Sequence, residues 1–433
     1  MATYLEHDLP VSADVIIIGG GLAGTAALWA IGRAAPHLRT ILLEPNDHLG
    51  GGSSTASLEC FRSCWALPCN AQLMRRSIEV FYNADACLGE GAADAIGVRK
   101  HGYLFCGFSP QQAATLRADV DHLHTIGLTH VEYLDTDELR YRFPWLGEKV
   151  IAAKFDPNAG SLDSHGLVQA YVRAAPSGQI VLNAKEISIL VENGQVRGVR
   201  CSKGTIAAPQ VVIASGAGAE AVGRSAGVDL PVVVRPRQSF TTAFRHEGFP
   251  EDAPLVIGAK PFPHVRPVGK DGAIFGWEYH WNAKGRDATL KDALIEPIYP
   301  LSRLKDPRFP SIALMLLARQ FGHEQAAGFN DPRYLRGLQH SIGYYVYRDA
   351  SAAYSVSADG SRQPYHSERA IIDQHPDVVG LFMSIAHVGH GIMTSPAAGE
   401  LLANKVLGQP LSEPIYADFA LGVPWVPYDE NAL

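Results

Sequence analysis

Asp14-Val-Ile-Ile-Ile-Gly-Gly-Gly-Leu-Ala-Gly24 is the stretch whose reading decides the fold. Val15 to Ile18 is short, β-branched and wholly apolar, the pattern of a strand buried on both faces. Gly19 to Gly24 then reads as a turn, and Thr25 to Ala35 as an Ala-rich helix, with Pro36 just past its end. Thr40-Ile-Leu-Leu43 reads as a second strand, closed by Glu44 and Pro45. A GxGxxG turn in this strand–helix–strand setting is a dinucleotide site. Gly19 permits the tight turn, and Gly21 lets a pyrophosphate approach the backbone. Leu22 and Ala23 open a helix whose N–H groups and dipole favour the anion. Gly24 allows close helix–sheet packing, and Glu44 accepts hydrogen bonds from ribose hydroxyls. The acidic residue would repel the 2′-phosphate of an NADP-type ligand. The motif alone does not separate FAD from NAD.

Outward from that turn, 433 residues suggest two domains. Hydrophobic residues make up 47% and charged residues 19%, a globular composition that excludes disorder. The formal net charge of -7 implies no basic surface for nucleic acid. Six cysteines, five of them in the first quarter, form no paired framework and fit a reducing cytoplasm. The polar, acidic start lacks the features of a signal peptide. No run of about 18 apolar residues appears, so no spanning helix is expected.

Two further blocks share the strand-and-turn character. Ile180-Val-Leu182, Ile187-Ser-Ile-Leu-Val191 and Val196-Arg-Gly-Val-Arg200 read as strands, with a hairpin turn at Asn193-Gly194, before Val211-Val-Ile-Ala214 runs into Ser215-Gly216. Leu381 to Ile385 reads as a buried strand and His387 to Met393 as a glycine-bearing turn. A helix follows from Pro396 to Leu407, with Ser395 as its cap. The expected division gives residues 1–85, 151–230 and 366–433 to one domain, and residues 86–150 and 231–365 to a second.

Three dispersed motifs carry a family resemblance. They are Asp14 to Glu44 continuing through Gly51-Gly-Ser-Ser-Thr-Ala-Ser57, then Val211-Val-Ile-Ala-Ser-Gly-Ala217, then Gly389-His-Gly-Ile-Met393 with Ser395-Pro-Ala-Ala-Gly399. In this order the chain resembles the FAD-dependent D-amino-acid oxidase/sarcosine oxidase superfamily, its sarcosine oxidase and dimethylglycine dehydrogenase-like members most. The resemblance implies an α/β fold: a discontinuous Rossmann-type FAD domain of the glutathione-reductase type, plus an α+β substrate domain built on an antiparallel sheet. It implies that Gly52, Ser53, Ser54 and Thr55 lie along the FAD pyrophosphate and isoalloxazine, and that Ile187 meets the adenine. Ala214, Ser215 and Gly216 would form a second phosphate-side turn. Gly389, His390, Gly391, Ile392 and Met393 would run beside the flavin pyrimidine, where backbone N–H groups and a helix N-terminus stabilise negative charge.

On the substrate side the resemblance points to Arg62, whose fork suits a substrate carboxylate. A surface or structural salt bridge is the rival reading. His390 is a candidate for a catalytic role, against a turn-forming one. Tyr103, Tyr279, Arg237 and Gln238 are candidate pocket residues. The expected reaction is oxidation of the C–N bond of a small amine or amino acid, a secondary or N-substituted one being favoured. A hydride equivalent passes to flavin N5, the imine hydrolyses, and oxygen or a quinone or electron-transfer protein takes the electrons. Oxidation of a hydroxy acid or polyol, and a flavin-bound assembly protein with little turnover, are the alternatives. Cys60, Cys64 and Cys69 match no common iron–sulfur spacing, so no metal is expected. With no cysteine after Cys201, a late cysteinyl flavin link is excluded, whereas a histidyl link stays open. Ser367 to Asp373 departs from the family pattern, and a longer segment, Asp349 to His366, precedes it.

Overall fold

A computed structural model describes residues 1–5, 9–259, 263–277, 296–322, 328–348, 354–356, 362–364 and 369–423. Val15–Ile18 lies inside a seven-stranded sheet, paired in parallel with Thr40–Leu43 on one side and Gln210–Ile213 on the other. Gly178–Val181 and Thr3–Tyr4 extend one edge in parallel. Leu381–Ile385 extends the other, and Ile371–Gln374 closes it as the antiparallel edge. The all-apolar strand follows from cover on both faces. Val15 and Ile17 enter one hydrophobic cluster, with the helices, and Ile16 and Ile18 enter another.

The helix after the turn runs Leu22–Ala34 and is buried from Leu22 through most of its length. It packs against helices Gly391–Val406 and Ser164–Arg173. The crossing with the first is close: a Cβ on Gly399 would stand 2.7 Å from the Ala26 carbonyl oxygen, so only glycine fits. Asn193 and Gly194 have φ of 50° and 72°, the left-handed pair that a two-residue hairpin requires, between strands Ser188–Glu192 and Gln195–Cys201.

The second sheet has eight strands. In order they are Gln339–Arg348, Val232–Thr242, Gly272–Trp277, His264–Val268, Leu255–Ile257, Tyr103–Gly107, Ala152–Asp156 and Glu132–Leu134. Every neighbouring pair is antiparallel except Leu255–Ile257 with Tyr103–Gly107. Helix Phe309–Phe321 covers it, over a core that includes Phe240 stacked on Phe275 at 4.6 Å. The expected joint at residue 150 falls one strand early, because Ala152–Asp156 pairs inside this sheet.

The last helix corrects an expectation. It begins at Gly391, not Pro396, and Ser395 lies within it rather than capping it. Proline mid-helix removes the bond to the carbonyl four residues back. Here the Ser395 hydroxyl donates to that carbonyl, Ile392, at 3.0 Å, so the helix continues. The longer segment before Ser367 contributes a small hairpin, Tyr354–Val356 with Arg362–Pro364, and otherwise lies outside the described residues. No helix among the described residues is long and apolar enough to cross a membrane.

Candidate active site

The dinucleotide turn has the local geometry its glycines predict. Gly19 has φ of 113°, and a Cβ there would stand 2.4 Å from the Ala214 carbonyl oxygen. A Cβ on Gly24 would lie 1.8 Å from the Gly19 carbonyl oxygen. These two glycines serve close packing. Gly21 is different: a Cβ there meets nothing within 4 Å, and the same holds at Gly52 and Gly216. Leu22 is buried and Ala23 half-buried in the first helical turn. Glu44 is buried, its carboxylate accepting from the Gly20 amide at 2.6 Å and from the Asn46 side chain at 2.6 Å, while Pro45 beside it is exposed. Ser215 follows buried Ala214, and its hydroxyl oxygen is buried with no hydrogen-bond partner among the described residues. An open cradle at three glycines beside an orphaned hydroxyl fits a bound dinucleotide. Ile187 is half-buried just ahead of strand Ser188–Glu192.

The loop after Gly51 ties the two sheets together. Ser53 accepts from the Tyr344 amide at 3.1 Å and caps the short 3-10 turn Ser54–Ala56 in position, though not by a side-chain bond. The Thr55 hydroxyl donates back to the Gly50 and Gly52 carbonyls. Ser239, in the second sheet, donates to Ala56 O at 2.7 Å.

A cavity opens between this loop, the second sheet and the start of the last helix. Arg62, Trp65, Tyr103, Glu59, His264, Tyr345, Gly389, His390, Ile392 and Met393 all line it. Arg62 is 2% exposed, so the surface version of its rival reading fails. Its guanidinium lies 3.7 Å from the centre of the Trp65 ring, a cation–π stack, and donates to Cys64 O at 3.3 Å. His390 meets the same indole edge-on, with ring centres 4.0 Å apart. Burial pushes the Tyr103 phenol well above its usual range, so it stays neutral. Burial likewise pushes the Cys64 thiol up to about 12 and Cys69 to about 11, so neither is a thiolate near neutral pH.

The turn into the last helix is strained. Ala386 and Val388 have φ of 58° and 52°, uncommon for any non-glycine and worse for a β-branched residue. A Cβ on Gly389 would press within 2.7 Å of the Tyr345 ring. His390 precedes the first helical residue, so the N–H groups of Gly391, Ile392 and Met393 belong to the unpaired first turn at the cavity. The sequence placed the helix dipole here, but five residues late.

Arg237 and Gln238 line an adjoining cavity that shares Ser57, Leu58, His264 and Tyr345 with the first. Arg237 donates to the Tyr347 hydroxyl at 3.2 Å, and Gln238 accepts from the Asp306 amide at 2.8 Å. Tyr279 lies outside the described residues. Sequence reasoning missed Trp65, Glu59, His264 and Tyr345. Trp65 and Glu59 had a signal, each three residues from Arg62, with Glu59 left-handed at φ 54°; His264 and Tyr345 come to the cavity through sheet pairing.

A parallel sheet with an open glycine turn, facing a cavity roofed by the mostly antiparallel second sheet, fits a dinucleotide-binding enzyme. The model of the FAD dependent oxidoreductase family matches residues 14–405, and the chain belongs to that family. It is therefore an FAD-dependent oxidoreductase. It is 27% identical over 274 residues to the sarcosine oxidase subunit beta of Rhizobium meliloti, across 61% of this chain and 63% of that protein. It is 24% identical to a glycine oxidase of Bacillus licheniformis over 92% of this chain and 94% of that one. Among solved structures, L-proline dehydrogenase from P. horikoshii superposes with a TM-score of 0.73 at 20% identity, covering 95% of this chain and 98% of that one.

Proposed function

We propose that this enzyme oxidises the C–N bond of a small amino acid, a secondary or N-substituted one being favoured, to an imine that hydrolyses. The observation that carries the reading is Arg62, a cation buried at the wall of the cavity and shaped for a carboxylate. Relatives named for sarcosine, glycine and proline chemistry support it, since each of those substrates joins an amine to a carboxylate.

In this reading FAD, when bound, supplies the two-electron acceptor. Gly21, Leu22 and Ala23 would face its pyrophosphate, Gly19 and Gly24 would pack the turn that carries them, and Ala214, Ser215 and Gly216 would lie opposite. Glu44 and Pro45 lie at the ribose and Ile187 at the adenine. Gly52, Ser53, Ser54 and Thr55 run toward the flavin. Gly391, Ile392 and Met393 would present first-turn amides to its electron-rich edge, with Gly389 and His390 in the turn just before them. Arg62 orients the substrate by its carboxylate, and Trp65, Tyr103 and His390 wall the amine from water. No side chain is required as general base. Oxygen, a quinone or an electron-transfer protein reoxidises the enzyme.

An anaerobic titration tests this. N-methyl amino acids, D-amino acids, proline, the matching amines without a carboxylate, and hydroxy acids are added in turn to flavin-loaded protein while the flavin absorbance is followed. Bleaching by an amino acid, with the carboxylate-free amine far weaker, is the expected result. Bleaching by hydroxy acids alone would overturn it.

A further inference from the structure

We infer that Asp156 is a positioning residue for Arg62 and so sets how tightly the cavity holds a substrate carboxylate. This rests on the reading of Arg62 as the carboxylate-binding group. Asp156 ends a strand of the eight-stranded sheet, whereas Arg62 stands in the loop after Cys60–Phe61. The aspartate is wholly buried, 0% exposed. Its carboxylate accepts from the Ser63 amide at 2.6 Å, the Cys64 amide at 2.9 Å, the Ser63 hydroxyl at 2.9 Å and the Asn158 amide at 3.0 Å. The first two are the peptide N–H groups directly after Arg62.

Bonds to an ionised acceptor are the strong ones, and a buried carboxylate is sustained only by such a set. The link then continues to the guanidinium. Cys64, held by its amide, offers its carbonyl to Arg62 Nη1 at 3.3 Å, and Trp65 Nε1 donates to Arg62 O at 3.1 Å. Trp65 in turn lies under the guanidinium. Asp156 therefore fixes the backbone from which both the cation and its aromatic support project. Across the ladder it pairs with Tyr103, another wall of the cavity, so one strand pair references both groups.

The neighbouring His130 does not turn this cluster into a hydrolytic triad. Its Nε2 faces both the Ser63 hydroxyl, at 2.6 Å, and the Asp156 carboxylate, at 3.7 Å, whereas a triad needs opposite ring nitrogens for the two. Ser63 is also buried, away from the cavity lining.

The test uses flavin-loaded protein and two probes of one shape, acetate and acetamide, with binding read from the flavin absorbance. Arg62→Ala should weaken acetate by at least about tenfold. Asp156→Asn should weaken acetate by about tenfold while acetamide affinity and flavin content stay within about twofold. General damage to the pocket would weaken both probes alike. Asp156→Asn that weakens neither probe, or both equally, overturns the inference. Ser63→Ala, which removes one of the four bonds, decides the matter if Asp156→Asn does not fold. A loss of about threefold for acetate alone supports the inference, and wild-type affinity overturns it. Acetate that leaves the wild-type spectrum unchanged, or binds Arg62→Ala normally, instead overturns the carboxylate reading of Arg62, and the inference falls with it.

Discussion

Arg62 shows how one buried cation can be both stable and useful. Its guanidinium stacks on the Trp65 ring, donates to the Cys64 carbonyl and stands at the cavity wall. Removing the fork should raise KM for a carboxylate-bearing substrate by about one to two orders of magnitude, with the smaller effect on kcat. Steady-state kinetics of Arg62→Ala checks this, and unchanged kinetics would take Arg62 out of the site. His387, four residues from the helix start, carries a second prediction. Burial, with the nearby His390 second, lowers it to about 4, and its Nδ1 has no partner among the described residues. The folded state thus binds this proton more weakly than the unfolded chain. Stability is full above the ordinary histidine range near pH 6.5 and is lost as pH falls toward 4. His387→Gln should flatten the acid limb by about 1 kcal/mol per pH unit in that window, measured by denaturant melts at successive pH values. An unaltered slope would show that His387 is not the group responsible. At this scale Arg62 was legible because it sits close behind a recognisable serine-rich loop. His264 and Tyr345 were not, since sheet register, rather than chain proximity, brings them to the cavity.

Between the first strand and its helix, two glycines of one motif do opposite jobs. Gly24 fills a contact in which any Cβ would collide with the Gly19 carbonyl, while Gly21 faces open space. Gly24→Val should therefore destabilise the fold itself. Gly21→Val should keep the wild-type far-UV dichroism and melt of the stripped protein yet retain little or no flavin. Normal flavin content in folded Gly21→Val would contradict the phosphate-turn assignment. The close contact at Gly24 and the open space at Gly21 were readable from spacing because the turn is local. The last helix was not read correctly for an equally physical reason. Pro396 looks like a first-turn residue, and only the Ser395 hydroxyl bonded to Ile392 O explains how the helix starts at Gly391. Tyr171 also bonds that hydroxyl, at 2.9 Å. Ser395→Ala strips both partners at once, and should cost about 1–3 kcal/mol in a denaturant melt.

Across the whole molecule, the segments assigned to the cofactor come from three distant parts of the chain: residues 14–55, 187–216 and 389–393. Strands from the first two regions and Leu381–Ile385, just ahead of the third, lie side by side in one sheet, and the 51–57 loop reaches across to the other through Ser53 and Ala56. The central strands of that sheet were legible one by one, since each carries its own apolar run, whereas their order comes from the pairing. The place of Ala152–Asp156 in the second sheet was not legible, since Lys154 and Asp156 interrupt any apolar run in those five residues. A ligand contacting all three segments binds only the folded arrangement, so FAD should act as a stabiliser by mass action. Protein stripped of flavin should melt at a lower temperature, and added FAD should restore it. Beyond saturation each tenfold rise in free FAD should add about 1.4 kcal/mol. Riboflavin, which lacks the pyrophosphate and adenosine, should restore little at the same concentration if Gly21, Ser215 and Glu44 hold those parts. Equal rescue by riboflavin would mean that the dinucleotide half of the site contributes nothing, and would break the link drawn here between the glycine turn and the cavity.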